Sequence, residues 1–341
     1  MPFDPFETIL VGRAGLRTTR LGLGGAAIAG LWAEVNDAAA AEVIAHAWAI
    51  GVRSFDVAPL YGYGAGEERM GRGLEGRPSA DYVLSTKVGR LVREDDAIGP
   101  DDAVDEQVVG SRTNAYYVGT AGRRMVLDYS FDGVLRSVEE SLTRLGLDRL
   151  DIAYIHDPDD HMDEALRGAY PALDRLRSEG VVTSIGAGMT RSAPLLRFVT
   201  ETDVDVIMVA GRYTLLDQDA LTDLLPACLR RAVSVMVAGV MNSGILADPT
   251  ATPRMDYAPA SPDVIDRVER LAAACSRHGV PLRAAAVQLP VAHPAVTGLI
   301  AGARTAAQLD DYPAAMRHAI PPELWDELRA ERLIPADIPT R

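Results

Sequence analysis

Four residues carry side chains able to move or hold a proton: Asp56 after VRSF, Tyr61 five residues on in DVAPLYGYG, Lys87 after YVLST and His156 after LDIAYI. A charged group ending an apolar run is costly to bury unless it is paired. Asp56 and Lys87 can satisfy each other. An ammonium about 4 Å from a phenol, at an effective dielectric of about 20, is worth roughly 4 kcal/mol, or about three pKa units on a tyrosine. So biased downward by Lys87, Tyr61 can both give and take a proton, which is general acid–base chemistry at a reacting oxygen. A neutral His156 can hold such an oxygen by a hydrogen bond. Plainer readings stand beside this one: a packing tyrosine in a glycine-rich turn and a structural Asp56–Lys87 ion pair. His156 with Asp157, Asp159, Asp160 and His161 suggests a metal set, but adjacent acids around Pro158 read better as a solvated face, and no metal is expected.

Those residues converge only if the elements carrying them lie side by side. From residue 37 the sequence alternates apolar runs with amphipathic stretches. DAAAAEVIAHAWAIG, opened by Asp37 and closed by Gly51, precedes VRSFDVA; GEERMGRGLEG precedes DYVLSTK; FDGVLRSVEESLTRLG precedes LDIAYIH; MDEALRGAYPALDRLRSEG precedes VVTSIGAG. APLLRFVTE then precedes VDVIMVA, ALTDLLPACLRRA precedes VSVMVAG, and PDVIDRVERLAAACSRHG leads through RAAAVQLPVAH to AVTGLIAG. With LGLGGA near the start this makes eight strand candidates interleaved with helices. Strands alternating with crossover helices predict a parallel sheet, and eight repeats predict a closed (β/α)8 TIM barrel, an α/β fold spanning residues 1–341 as a single domain. Long loops are expected after the third strand, at 93–130, and after the seventh, at 240–262. Gly22-Leu-Gly24-Gly25-Ala26-Ala27 matches the dinucleotide fingerprint G-x-G-x-x-G/A, but the next helix opens only near Asp37. The glycines read instead as close backbone approach at a barrel mouth.

Composition narrows the function classes. The chain has 341 residues with 34 basic and 48 acidic side chains, a net charge of −14. That argues against a nucleic-acid partner, which needs clustered Lys and Arg. No window reaches the length of an apolar spanning helix and no basic head precedes one, so the expectation is a cytoplasmic protein without a membrane partner. Cys228 and Cys275 are too few for a disulfide framework or a four-thiolate zinc site and are expected to be buried thiols.

FDVAPLYGYGAGEERMG, STKVG and YIHDP, in this order on successive strands, resemble the aspartate–tyrosine, lysine and histidine segments of the aldo-keto reductases. The resemblance implies a nicotinamide-dependent oxidoreductase. Asp56, Tyr61, Lys87 and His156 would be catalytic: hydride moves to or from carbon, and Tyr61 handles the oxygen's proton. DYSFDGVLRSVEESLTRLGLDRLDIAYIHDPD, AGRYTLLDQ, VMNSGILAD and the tyrosine of MDYAPA are similar to the branch that oxidises aldoses such as L-fucose, D-threo-aldoses and L-galactose at C1 to the lactone, which also contains pyridoxal 4-dehydrogenases. A broad NADPH-dependent aldehyde reductase and a cofactor-binding regulatory subunit are the alternatives.

Cofactor contacts depart from the family's pattern. Where many members carry Ser-Asn, a glutamine and a stacking aromatic on the fifth, sixth and seventh strands, this chain has Gly188-Met189, Ala210 and Ala238. The resemblance therefore assigns NAD, with NADP as second choice, to Gly25, Ala26, Asp56, Gly188, Met189, Arg212 and Tyr213. It adds the loop residues Gly239, Asn242, Ser243, Gly244 and Leu246, and Gly302, Arg304 and Gln308 beside the ribose. NAD is preferred because Gly302 and Gln308 stand where members favouring NADPH place a lysine and an arginine. Trp32, Tyr129, Asp157 and Tyr257 are the expected lining of the pocket for a small aldose or aldehyde.

Overall fold

The computed structural model describes residues 2–105, 116–120, 122–251 and 253–341. Eight parallel strands close a barrel in chain order: β1 (Leu21–Gly24), β2 (Ser54–Asp56), β3 (Val83–Val88), β4 (Leu150–His156), β5 (Val182–Met189), β6 (Val206–Ala210), β7 (Ser234–Ala238) and β8 (Val296–Gly302), the last pairing back to β1. All eight expected strands are present, joined by helices on the outside.

The helices begin and end for local reasons. In α1 (Asp37–Ile50) the cap is Asn36, one residue earlier than the expected Asp37, because its side chain accepts the Ala39 N–H at 2.9 Å. Gly51 closes that helix at φ 106°, a conformation few side chains tolerate. Ser130 likewise accepts the Gly133 N–H to open the helix Phe131–Leu145.

Three elements differ from the sequence reading. Thr8–Val11 and Leu16–Thr19 form an antiparallel hairpin that was not anticipated. Its Ile9 and Val11 pack with Val83, Ile152, Tyr154, Val206, Met208, Met236 and Ile300, plugging the N-terminal end of the barrel. Leu282–Val291, read as a connection, is a helix buried from Ala284 to Val291. A helix covered on every side shows no amphipathic stripe, and Pro290 reads as a breaker. The insertion after β3 starts already at Arg90, where Arg90–Glu94 pairs with Arg123–Leu127, while 106–115 lie outside the described residues.

The loop after β7 carries a one-turn helix at Asn242–Gly244 and a small hairpin, Arg254–Met255 with Ala258–Pro259. At the barrel mouth the glycine reading holds its physical sense: a Cβ on Gly25 would lie 2.6 Å from Val57, and one on Gly24 would lie 2.9 Å from Ile300. Cys228 and Cys275 are both buried, and burial pushes each thiol up to about 12. No helix among the described residues is long and apolar enough to cross a membrane.

Candidate active site

Asp56 and His156 are the last residues of β2 and β4, and Lys87 is the penultimate residue of β3. The strand pairs β2–β3 and β3–β4 bring all three to the C-terminal mouth, where barrels of this kind carry their chemistry. Lys87 Nζ donates to Asp56 Oδ2 at 2.7 Å and to the Val57 carbonyl at 2.9 Å, and both side chains are only 2% exposed. Asp56 Oδ1 accepts the Ser85 hydroxyl at 2.7 Å, so neither charge is left without a partner.

Tyr61 enters from the turn after β2. Gly62 and Gly64 follow it at φ 63° and 94°, and a Cβ on Gly62 would stand 2.5 Å from the Ala29 carbonyl oxygen, so glycine is required there. Lys87 Nζ lies 4.6 Å from the centre of the Tyr61 ring, and the His156 ring crosses it nearly edge-on at 6.0 Å. The four residues picked from sequence thus form one cluster.

The electrostatics differ from expectation at Tyr61. Its phenol is pushed well above the ordinary 10, first by burial and then by the Asp56 carboxylate, with Tyr257 and Asp157 adding and Arg90 opposing. The expected downward bias from Lys87 does not prevail, because burial and the Asp56 carboxylate act in the opposite direction. Tyr61 is therefore a held phenol. His156 behaves as expected. Burial, then Arg90 and then Lys87, hold its imidazole well below 6.5, so it is neutral at physiological pH.

A support layer missed in sequence lies behind His156. The Arg90 guanidinium, ion-paired to Asp105 at 2.9 Å, donates to the His156 carbonyl at 2.6 Å. The Tyr129 hydroxyl donates to the same carbonyl at 2.6 Å and to that of Asp157 at 3.1 Å. Tyr129, expected to line the pocket, is instead fully buried. Its ring occupies the space a Cβ on Gly89 would need, 2.1 Å away, and Gly89 adopts φ 98°. The sequence signal for Arg90 was a lone basic residue in VGRLV, two places beyond the open end of a strand.

Asp157 follows His156 directly, and Trp32 lies in the β1 loop. Asp157 sits at φ 41°, its Oδ2 3.6 Å from His156 Nε2 and its Oδ1 accepting the Thr190 N–H. Trp32 packs against Tyr116 at 5.2 Å and Tyr257 at 5.9 Å, with the Arg254 guanidinium 4.7 Å from its ring. Tyr117 lies 6.1 Å from Tyr61. Tyr116 and Tyr117 were overlooked because they fall inside a stretch whose composition is mostly polar. Main-chain bonds from Trp32 to Tyr116 and from Val118 to Gly30 clamp the insertion to the β1 loop.

The expected cofactor residues divide. Gly25 donates its N–H to the Asp56 carbonyl at 2.6 Å, and Ala26 packs in the Tyr61–Tyr117 cluster. Gly188 lies beside Lys87: a Cβ there would be 3.7 Å from Lys87 Cε. Met189, Tyr213 and Leu246 are corrections, since all three side chains are buried in the layer between barrel and helices. Met189 points outward by the strand's alternation, and the Tyr213 ring packs on His293 at 5.5 Å.

The Arg212 guanidinium is engaged by Asp217 and Asp256, which ties the β7 loop down. In that loop the Asn242, Gly244 and Leu246 N–H groups bond to carbonyls of the loop itself, and the Ser243 hydroxyl accepts from Tyr257. Gly239 adopts φ 63° beside Gly211. At the far end Gly302 is exposed, and Gln308 uses its amide oxygen to accept the Arg304 N–H. Among the described residues the Arg304 guanidinium reaches only the Leu31 carbonyl, at 3.5 Å.

A nicotinamide dinucleotide fits these residues. Gly188, in register with His156, carries no side chain beside Lys87, and among the described residues the buried Asn242 Oδ1 has no partner and Arg304 forms no ion pair. When bound it supplies the carbon that accepts or donates hydride. Tyr61 would then face the reacting oxygen, and His156 would hold that oxygen without competing for its proton.

Known proteins agree with the geometry. A D-threo-aldose 1-dehydrogenase from Pseudomonas sp is 42% identical over 325 residues, 94% of this chain and 96% of that one. A pyridoxal 4-dehydrogenase from Microbacterium luteolum is 37% identical over 345 residues, 96% and 98% of the two chains. An aldo-keto reductase from Bacillus halodurans in its holo form has the same fold, with a TM-score of 0.73 over 98% of each chain at 22% identity. The sequence profile of the Aldo/keto reductase family matches residues 20–331. With a barrel of the right topology and the tetrad gathered at its mouth, this chain belongs to the aldo/keto reductase family and is a nicotinamide-dependent oxidoreductase.

Proposed function

We propose that the protein oxidises an aldose at C1 to the lactone, with NAD as the preferred acceptor. The observation that carries this reading is the Tyr61–Lys87–Asp56–His156 cluster opening beneath an aromatic and carboxylate rim of Trp32, Tyr116, Tyr257 and Asp157. Aromatic faces suit the C–H face of a sugar, and a carboxylate accepts its hydroxyls. Identity of 42% to a D-threo-aldose 1-dehydrogenase supports the same substrate class. In the reaction Tyr61 accepts the C1 hydroxyl proton as the C1–H bond breaks and the hydride leaves, so that C1 becomes a carbonyl. His156 donates a hydrogen bond to that oxygen, and Lys87, fixed by Asp56, keeps the Tyr61 ring in place.

A pyridoxal 4-dehydrogenase is the second reading, favoured by 37% identity to a protein of that name. The NAD preference rests on Gly302, which offers no side chain, and on Gln308, which is uncharged and whose amide oxygen accepts the Arg304 N–H. A missing charge-assisted contact to a 2′-phosphate costs about 1.5–3 kcal/mol, roughly 10-fold to 100-fold in affinity. The test is the absorbance at 340 nm with NAD or NADP and L-fucose, L-galactose, D-arabinose or pyridoxal. Aldose turnover with kcat/KM at least about 10-fold higher for NAD is expected. Turnover of pyridoxal alone overturns the substrate, and a strong NADP preference overturns the cofactor.

The raised phenol sets the pH dependence. A group held above its ordinary value stays protonated to higher pH, so the base form needed for oxidation is scarce at neutrality and grows about tenfold per pH unit. Oxidative kcat/KM is therefore expected to climb through pH 9 without levelling, while reduction of the same product stays flat there. Because His156 is held neutral, no loss is expected on lowering the pH from 7.5 to 6.5 beyond that slope. An oxidative plateau by pH 8 would show that Tyr61 is not the titrating base.

A further inference from the structure

A cavity away from the tetrad lies near the C-terminus. It has a volume of about 430 Å³ and is lined by Arg267, Arg329, Arg332, Gln218, Ile334, Pro335 and Ala336. It lies between the β6 loop, the helix Pro262–Arg277 and the C-terminal segment after the helix Pro322–Ala330. Three guanidinium groups line it and no carboxylate does.

In a chain with 48 acids and 34 bases, an arginine without an acid is not explained by scarcity. Yet among the described residues neither Arg267 nor Arg332 forms an ion pair. Arg267 donates one bond, to the Leu333 carbonyl at 2.8 Å, and its Nε is buried without a partner. Arg329 is anchored by Asp326 at 3.1 Å and by the Ile338 carbonyl, but its Nε is also buried and unpartnered. Arg332 is held at φ 56°, is exposed, and makes no side-chain hydrogen bond among the described residues.

Burial pushes the Arg267 guanidinium downward, Asp217 opposes that effect, and neighbouring Arg270 deepens it. Unpaired buried donors and crowded like charges are costly, and an oxyanion relieves both costs at once. The cavity volume falls within the range that holds small organic ligands, and Ile334, Pro335 and Ala336 give it an apolar wall.

We propose that this cavity is a binding site for a small organic oxyanion, a carboxylate or phosphate head on a compact apolar body. Arg267, Arg329 and Arg332 grip the head, and Ile334–Ala336 cover the body. No tetrad residue lines it, so its occupant is not the molecule undergoing oxidation.

The test is isothermal titration of the full chain, saturated with nicotinamide dinucleotide so that the cofactor's own phosphate contacts are filled. The probes are inorganic phosphate, benzoate and phenyl phosphate at matched ionic strength. Saturable binding of at least one probe at one site per chain is expected, weakened about tenfold or more in Arg332→Ala, whose side chain holds no structural bond. Binding confined to phosphate and phenyl phosphate identifies a phosphate head, and binding confined to benzoate a carboxylate. Arg267→Ala is expected to weaken binding similarly, with its thermal unfolding measured alongside because it also loses the bond to Leu333. Absence of saturable heat with all three probes overturns the proposal, as does unchanged affinity in Arg332→Ala.

Discussion

Replacing Tyr61 by Phe is expected to lower kcat by about 10³, within the roughly 10²–10⁴ that a positioned acid–base group contributes. Only the hydroxyl is removed. The ring keeps its place between Lys87, 4.6 Å from its centre, and the edge of His156, so the barrel and the cleft keep their shape. No group among the described residues hydrogen-bonds the Tyr61 hydroxyl, so its loss leaves no partner stranded and stability is expected to change little. Dinucleotide affinity, read by fluorescence titration, is expected to stay within about twofold, a change worth roughly 0.4 kcal/mol. A variant that keeps the wild-type rate would remove Tyr61 from the reaction.

Lys87→Met carries the second large effect, on two observables at once. The pair with Asp56 is 2.7 Å long and 2% exposed on both sides, and removing one partner of such a pair typically costs about 3–5 kcal/mol because the other charge is left buried. Thermal unfolding is expected to fall by several degrees, and turnover to fall with it as the Tyr61 ring loses its contact. Adding Asp56→Asn separates the two causes. The double variant no longer buries a lone carboxylate, so its stability is expected to recover most of the loss while its turnover stays low. Recovery of both would make the pair a structural brace with no part in the chemistry.

The barrel was legible because each strand is a short apolar run followed or closed by a glycine or a polar residue, and because several helices between them, such as those opened by Asn36, Ser130 and Ser261, carry caps. The tetrad was legible for a related reason: Asp56, Lys87 and His156 are polar groups at strand ends, where burial demands a partner. Side-chain direction was not. Met189, Tyr213 and Leu246 follow the right strands or loop, yet strand alternation and packing turn them into the outer core. Tyr129 lies next to the site in sequence and in space, but Gly89 opens a slot that draws its ring inside. The Tyr61 titration had the wrong sign because Lys87 alone entered the Coulomb sum. Burial dominates, and the Asp56 carboxylate pushes in the same direction. The hairpin at residues 8–19 escaped notice since its exposed strands bury only alternate residues under the barrel.

Net charge takes a narrower meaning from the same geometry. A charge of −14 opposes any phosphate-bearing ligand at long range, so binding a dinucleotide depends on local donors. In the loop after β7 the Asn242, Gly244 and Leu246 N–H groups are already bonded within the loop, whereas the Arg304 guanidinium forms no ion pair among the described residues.

The central claim is that hydride leaves C1 of an aldose at the site where Tyr61 takes the proton. Its most direct measurement is mass spectrometry of the reduced dinucleotide formed from an aldose deuterated at C1. The account predicts one deuterium in each reduced nicotinamide produced by the wild-type protein and almost no reduced product with Tyr61→Phe. Reduced dinucleotide without deuterium, or none formed from any aldose of the panel with either cofactor, would contradict it.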